Sequence, residues 1–192
     1  MGKLIHLSLS RAEFSDFMKP YGPFERCPTL AVAYSGGGDS TALLFLAYRW
    51  ARQRSAKVVA LTVDHGLRPE SKQEVYIAQK RCQTLGIESH LLRWRAPKLN
   101  SGIQNAARDA RYSLLSQWCK KQNVLHLLVA HHLEDQAETI LHRLGRRTGL
   151  DGLVGMPAIR EMKNVRVVRP CINVPRQRLR ATLTENNIKW LE

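Results

Sequence analysis

Short apolar runs alternate along this chain with longer segments in which apolar residues recur with helical spacing. Residues 58–64 (VVALTVD) are rich in β-branched side chains and are typical of a buried strand, whereas 101–122 places its apolar residues on one helical stripe. A short helix begins at the capping box of Ser10 and Glu13. The pattern further predicts strands at 30–35, 58–64, 90–94, 124–130 and 165–168, and helices at 39–54, 71–85, 101–122, 133–147 and 175–186.

This alternation of strands and helices predicts the class of fold. We expect an α/β domain with an open, mostly parallel five-stranded sheet and helices on both faces, because parallel strands need helical crossovers. The length of 192 residues fits one domain over 1–192, with 1–27 as an N-terminal helical extension. Ligands of such sheets bind beyond the carboxyl ends of the strands, so the residues that follow each strand are the candidate site residues.

Net charge is the compositional feature that bears most on function. Thirty Lys and Arg against 16 Asp and Glu give +14, which favours a polyanionic partner over a merely solvated basic surface. The four cysteines are too widely spaced for a zinc knuckle or a CxxC motif, which favours reduced thiols and a cytoplasmic location. The longest apolar stretch, 42–48, is too short to span a membrane, so no membrane partner is expected.

A glycine-rich segment follows the first predicted strand and opens a helix. It consists of Ser35, Gly36, Gly37, Gly38, Asp39 and Ser40. Glycines let a ligand approach the backbone, and a helix start adds free N–H groups and a positive dipole end. The spacing differs from that of Walker and dinucleotide-binding loops. A capped glycine turn is the alternative, but the flanking serines and the acid favour a phosphate-binding loop.

Charged residues at the same sheet edge extend this candidate site. Asp39 would repel phosphates without an intervening cation, so we expect it to hold Mg²⁺, to cap the helix, or both. Asp64 follows the second strand, where it could hold ribose or adenine, and Arg68 could face an anion; a satisfied turn is the alternative. Arg108 and Arg111 lie three residues apart on one helix and suit phosphate binding, or else form a solvated face.

The densest polar segment follows the fourth predicted strand, at 131–139 (HHLEDQAET). His131 and His132 are adjacent and would point apart on a strand, and a zinc site would need a further protein ligand. Asp135 with Mg²⁺ therefore fits better beside a phosphate loop. An acid-rich, capped first helical turn is the alternative.

These motifs, in this order, resemble a known family. SGGGDS at 35–40 is similar to the PP-loop of the N-type ATP pyrophosphatases, which cleave ATP between the α- and β-phosphates and activate a substrate by adenylation. LTVDHGLRPES, GIQNAARDARYSLL, AHHLEDQAETILHRL and GLDGLVGM then look like the tRNA-isoleucine lysidine synthetase family. The resemblance runs from about residue 30 to the end of the chain, and several ordered motifs make chance agreement improbable.

The resemblance implies a particular reaction. ATP would adenylate the C2 carbonyl oxygen of the wobble cytidine in an isoleucine tRNA with a CAU anticodon. The side-chain amine of L-lysine would then displace AMP and form lysidine, because AMP is a far better leaving group than a carbonyl oxygen. ATP and Mg²⁺ are the implied cofactors, tRNA and L-lysine are the implied partners, and the sequence is compatible with a homodimer.

The resemblance also implies roles for the residues at matching motif positions. The implied nucleotide-binding residues are 35–40 and Asp64, and the implied Mg²⁺ ligands are Asp39 and Asp135. The implied catalytic residues are Asp39, Asp135, Arg111 and His132. The implied substrate-binding residues are Arg108, His131 and Glu138. Either Asp135 or His132 would serve as the general base for the lysine amine, and the sequence leaves that choice open.

Departures from the family pattern and rival interpretations complete the sequence-based picture. Glu134 stands where family members often carry Asp, and 146–148 (RRT) adds charge. Family members continue into C-terminal tRNA-binding domains, so we expect the chain to be the catalytic domain, with ATP binding retained and tRNA modification weak or lost. The rivals are another PP-loop adenylating tRNA-modifying enzyme, such as a thiolase that uses cysteine pairs, and a non-catalytic RNA-binding module, which has no use for a phosphate loop.

Overall fold

The computed structural model describes residues 7–66, 71–94, 102–145 and 154–192. The strands are β1 (Thr29–Ala33), β2 (Lys57–Asp64), β3 (Glu88–Arg93), β4 (His126–Leu128), β5 (Ile159–Met162) and β6 (Val165–Val168). The helices are α1 (Arg11–Met18), α2 (Gly38–Arg52), α3 (Ser71–Thr84), α4 (Ile103–Lys121), α5 (Leu133–Gly145) and α6 (Arg176–Glu185), with a 3₁₀ turn at Lys19–Tyr21. Arg68, residues 146–148 and the predicted helix start at 101 lie outside the described residues.

The strands form one sheet in the order β3-β2-β1-β4-β6-β5. β1 pairs in parallel with β2 on one side and with β4 on the other, so that Leu30 lies opposite both Val58 and His126. The order of strands therefore reverses between β1 and β4, and the loops after these two strands diverge around a crevice. The mostly parallel α/β architecture predicted from the sequence is confirmed.

The sheet has six strands, one more than predicted. β5 pairs with β6 in antiparallel fashion, with Ile159 opposite Val168 and Met162 opposite Val165. β5 is an edge strand whose central residues, Arg160 and Glu161, are exposed, so its sequence lacks the apolar run of a buried strand. The two residues between β5 and β6 suffice for a hairpin but not for a parallel crossover.

Helices cover both faces of the sheet and bury two apolar clusters. One cluster joins the sheet to α1, α2 and α6 and includes Phe14, Leu43 and Leu179. The other joins it to α4 through Leu115 and Cys119. The N-terminal helix thus packs into the core. Among the described helices, none combines the length and the apolar character that crossing a membrane requires.

Candidate active site

A pocket of about 510 Å³ opens at the carboxyl ends of β1, β2 and β4, within the range typical of small-molecule sites. Ten of the predicted site residues line it: Ser35, Gly37, Asp39, Ser40, Asp64, Arg108, Arg111, His131, His132 and Asp135. Three do not. Gly36 and Gly38 form the loop without lining the pocket, and Glu138 is exposed on α5.

The glycine-rich loop leaves β1 and becomes the first turn of α2. Gly37 is the N-cap in an extended conformation, and Gly36 has φ 87°, which favours glycine. The Ser40 hydroxyl donates to the Gly37 carbonyl at 3.0 Å, and the Thr41 hydroxyl contacts the carbonyls of Gly36 and Gly37 at 3.1 and 2.9 Å. These side chains hold the loop's carbonyls within the protein. The start of α2, which lines the pocket, thereby offers its N–H groups and dipole end to an anion.

A segment after α6, Trp190 and Leu191, supports this loop from behind, and the sequence analysis missed it. The Leu191 N–H donates to the Gly36 carbonyl at 2.9 Å, and Leu191 forms a parallel bridge with Gly37. A Cβ on Gly36 would lie 2.7 Å from Leu191 Cδ1, and one on Gly38 would lie 3.3 Å from Trp190 Cδ1. Gly36 is therefore needed for its backbone conformation as well as for close packing, whereas a side chain at Gly38 would meet only a tight contact with Trp190.

Two acids from separate motifs converge on His132. The imidazole Nε2 lies 3.5 Å from Asp39 Oδ2 and 3.6 Å from Asp135 Oδ2, and His132 is buried. Asp135 also caps α5, because its Oδ2 accepts the His132 backbone N–H at 2.9 Å. The loop after β1 and the helix after β4 thus contribute one carboxylate each to the same corner of the pocket.

Glu134, the departure from the family pattern, faces the start of α6. Both of its carboxylate oxygens accept the Arg176 N–H, at 2.9 and 3.2 Å. Its Oε2 is 3.1 Å from His132 Nδ1, but that contact lacks hydrogen-bond geometry, since Nδ1 is buried without a hydrogen-bond partner among the described residues. Arg176, also missed by the sequence analysis, brings its Nε to 3.4 Å from Asp39 Oδ2.

The acids at this corner fit Mg²⁺ held jointly with a phosphate. Asp39 Oδ1 is buried and has no hydrogen-bond partner within the described part of the chain, so a ligand for it is still to be supplied. Across the described ranges, no three His, Cys, Asp or Glu side chains form a complete metal cage. Mg²⁺ commonly binds through one or two carboxylates plus substrate phosphates, which matches the pair Asp39 and Asp135.

The helix α4 contributes a basic part of the pocket lining. Arg108 and Arg111 both line it, and the Arg108 guanidinium lies 5.8 Å from the centre of the Tyr112 ring. Burial, reinforced by Arg111, lowers the pKa of His65, another lining residue. Asp64 closes the turn after β2, since its Oδ1 accepts from the Gly66 N–H at 2.9 Å and the Ser71 hydroxyl at 3.2 Å.

His131 turns away from His132 and contacts a residue that the sequence analysis did not single out. Arg169, just after β6, donates from its Nε to His131 Nδ1 at 2.9 Å. Burial, followed by the positive charge of Arg169, lowers the pKa of His131 to about 4. The two adjacent histidines therefore occupy opposite electrostatic settings, one beside acids and one beside a cation.

Fold and site together define a nucleotide-binding α/β domain: a phosphate loop at the strand reversal, two acids that suit a divalent ion, and a basic wall. The chain belongs to the PP-loop domain family, whose model matches residues 8–192. Its family membership also identifies the domain as one that uses ATP.

Curated relatives share one name. A tRNA(Ile)-lysidine synthase of Wolbachia sp. subsp. Brugia malayi is 41% identical over 93% of this chain and 42% of its own length. Another of Bradyrhizobium sp. (strain BTAi1) is 39% identical over 97% of this chain and 52% of its own. The chain thus spans about half the length of the curated relatives it matches, or less.

Solved structures share the fold at low identity. The U34-tRNA thiolase NcsA from Methanococcus maripaludis matches with a TM-score of 0.79 and 18% identity, over 93% of this chain and 64% of that one. A glutamine-dependent NAD+ synthetase from Acinetobacter baumannii matches with a TM-score of 0.57 and 16% identity, over 92% and 31%. These likenesses concern the fold alone.

Proposed function

We propose that this chain is the catalytic domain of an enzyme that ligates L-lysine to C2 of the wobble cytidine in an isoleucine tRNA with a CAU anticodon. The observation that carries the proposal is the meeting of Asp39 and Asp135 beside the phosphate loop. Relatives named tRNA(Ile)-lysidine synthase, about 40% identical, support this choice among PP-loop reactions. We expect the protein to act in the cytoplasm.

The reaction has two steps. The C2 carbonyl oxygen attacks the α-phosphorus of ATP, and the bond to the pyrophosphate oxygen breaks. The lysine amine then attacks C2, the C2–O bond breaks, and AMP leaves while the amine loses a proton to a base. Such a sequence needs a site that aligns three reactants and stabilises anionic phosphates.

The described residues that line the pocket supply these requirements. The start of α2 and the loop 35–40 bind the phosphates, and Arg108 and Arg111 of α4 add positive charge to the same pocket. Mg²⁺ held by Asp39 and Asp135 would supply further charge neutralisation for the pyrophosphate. Asp135 and His132 both line the pocket and are the two candidates for the base that takes the proton of the lysine amine.

The cysteines argue against a sulfur-transferring relative. Cys82, Cys119 and Cys171 are buried, and burial raises the pKa of Cys82 to about 11 and those of Cys119 and Cys171 to about 12. Cys27 is exposed. Thiolate is the reactive and metal-binding form of cysteine, so the three buried thiols suit neither persulfide chemistry nor a cluster. A ligase that forms a C–N bond needs no thiol.

The test is transfer of radiolabelled L-lysine to isoleucine tRNA with ATP and Mg²⁺, measured together with AMP release. We expect incorporation that requires cytidine at the wobble position, with a transcript carrying uridine there as the control. Asp39→Asn and Asp135→Asn should lower the rate by about 10²–10³, since each removes charge stabilisation at the reacting centre. Lys163→Ala, in the exposed turn between β5 and β6, serves as the matched surface control.

The rivals give different results in the same assay. Pyrophosphate release that continues over many turnovers with tRNA, while no lysine enters the tRNA, would indicate another PP-loop adenylating enzyme. RNA binding without any ATP binding would indicate a non-catalytic module. Either result would overturn the proposed reaction.

A further inference from the structure

Arg169 is a buried arginine whose side chain contacts His131, a residue that lines the pocket. It is 3% exposed, its Nε donates to His131 Nδ1, and its Nη1 donates to the Pro157 carbonyl at 2.8 Å. Its own backbone N–H donates to the Ala158 carbonyl at 2.9 Å, and its carbonyl accepts the Tyr21 hydroxyl at 3.1 Å. Among the described residues, no carboxylate pairs with it.

Burying the Arg169 guanidinium is energetically unfavourable, so we expect it to have a role that an apolar side chain could not fill. Burying a charge without a counterion is unfavourable even when some of its donors are satisfied. Here the backbone of β6 and the 157–158 segment fix the guanidinium, and its Nε–H is directed at the imidazole of His131. The imidazole is therefore the group on which this arginine acts.

The direction of that hydrogen bond determines the protonation of His131. A guanidinium has donors only, so Nδ1 must accept and cannot carry a proton. A neutral imidazole whose Nδ1 is unprotonated carries its proton on Nε2. Because His131 lines the pocket and Nδ1 is occupied by Arg169, Nε2 is the ring nitrogen left for a ligand.

We propose that Arg169 is a positioning residue that holds His131 as the Nε2–H tautomer, so that His131 donates a hydrogen bond to an oxygen of a bound substrate and does not accept a proton. The inference deepens the proposed function and rests on it for the identity of the substrate. It also gives the adjacent histidines different roles, because His132 lies between acids and His131 is held by a cation.

The charges around His131 indicate which oxygen it would contact. Arg169 lies behind the ring, Arg108 and Arg111 of α4 act on it as further positive charges, and Asp135 of α5 is the opposing negative one. Three cations against one acid favour an oxygen that carries or develops negative charge. A phosphate oxygen of the nucleotide and the C2 carbonyl oxygen of the cytidine both have this chemistry.

The tautomer can be measured without any turnover. In ¹⁵N-labelled protein, long-range ¹H–¹⁵N correlation should give an unprotonated-type signal for His131 Nδ1 and a protonated-type signal for Nε2. Arg169→Met should release the ring into mixed tautomers. Arg166→Met is the matched control, since Arg166 lies on β6, three residues before Arg169, but donates to the Tyr21 carbonyl. A protonated Nδ1 in the unmodified protein overturns the inference, even if Arg169→Met does not fold.

Substitutions of His131 test the donor role. Gln retains an N–H donor near the position of Nε2 but cannot act as a base, whereas Ala retains neither function. We expect His131→Ala to lose about 10–150-fold, the worth of a hydrogen bond to a charged group, and His131→Gln to recover most of that loss. If Gln is no better than Ala in either ATP affinity or lysine transfer, the donor role is refuted.

Two measurements distinguish a phosphate oxygen of the nucleotide from the C2 carbonyl oxygen of the cytidine as the group that His131 contacts. Titration of the protein with ATP and Mg²⁺ reports a nucleotide phosphate, and lysine transfer to tRNA at saturating ATP reports the cytidine carbonyl. If lysine transfer is not observed, the tautomer measurement remains decisive for the role of Arg169, and the ATP titration still tests the contact with a nucleotide phosphate. Failure of the proposed function is thereby separated from failure of the role assigned to His131.

Discussion

The substitution Gly36→Ala tests most directly whether packing against Leu191 holds the phosphate loop in its conformation. Gly36 has φ 87°, and left-handed backbone costs a residue with a Cβ about 1–2 kcal/mol. The new Cβ would also lie 2.7 Å from Leu191 Cδ1, and overpacking typically costs about 1–3 kcal/mol. Because Cδ1 is the end of a flexible side chain, we expect the free energy of unfolding to fall by about 2–3 kcal/mol in total.

A double-mutant cycle with Leu191→Ala separates the two contributions. Removing the Leu191 side chain relieves the steric conflict but leaves the backbone strain. Chemical denaturation of the four proteins should therefore show a favourable coupling of about 1 kcal/mol between the two substitutions. Losses that simply add would refute the steric part of this reasoning.

The functional consequence is measured by titration with ATP and Mg²⁺. If the Gly36 peptide shifts, the N–H groups at the start of α2 no longer meet the phosphates together. We expect the affinity to fall at least tenfold, equivalent to about 1.4 kcal/mol, and to recover partly in the double variant. Lower stability with unchanged ATP affinity would show that this loop is not the phosphate site.

Three further outcomes follow from the site. Asp39→Asn should weaken Mg²⁺-dependent ATP binding at least tenfold in a calorimetric titration. The control Asp16→Asn, at an exposed position, should leave ATP binding unchanged. His131 binds a proton near pH 6.5 in the unfolded protein but only near pH 4 in the folded protein. The free energy of unfolding should therefore decrease by up to about 3 kcal/mol as the pH is lowered from 6.5 to about 4. Denaturation of His131→Gln should show a shallower pH dependence; an unchanged slope would contradict the lowered pKa. Thiol titration of the native protein should label Cys27 rapidly and the three buried cysteines only on unfolding.

The parallel part of the fold is readable from the sequence because each buried strand carries its own signal. The run around Val58 and Val59 is apolar whatever its neighbours are, and the helices after it keep their periodicity. β5 gives no such signal, since half of it faces solvent and it exists only by pairing with β6. Its presence depends on tertiary pairing, which a local pattern does not encode.

The residues of the candidate site also fall into those that the sequence predicts and those that it does not. Residues in the loops directly after strands, such as Asp39 and Asp135, are predictable because topology brings the carboxyl ends of parallel strands together. Arg169 directly follows the predicted strand 165–168, so its position could have been singled out, but its role arises only through its contact with His131. Leu191 follows no predicted strand, and its role arises only through its contact with Gly36. The buried guanidinium without an acid could not have been inferred before the packing was known.

The distribution of charge inside the pocket explains more than the net charge of +14 does. A uniformly basic surface would attract RNA and ATP alike but would repel the ammonium group of lysine and a divalent ion. Asp39 and Asp135 form an acidic corner next to the phosphate loop, while Arg108 and Arg111 of α4 also line the pocket. The acidic corner suits cations, and the arginines suit phosphates. The proposed reaction, between two anionic substrates and one cationic nucleophile, requires both kinds of charge in one pocket.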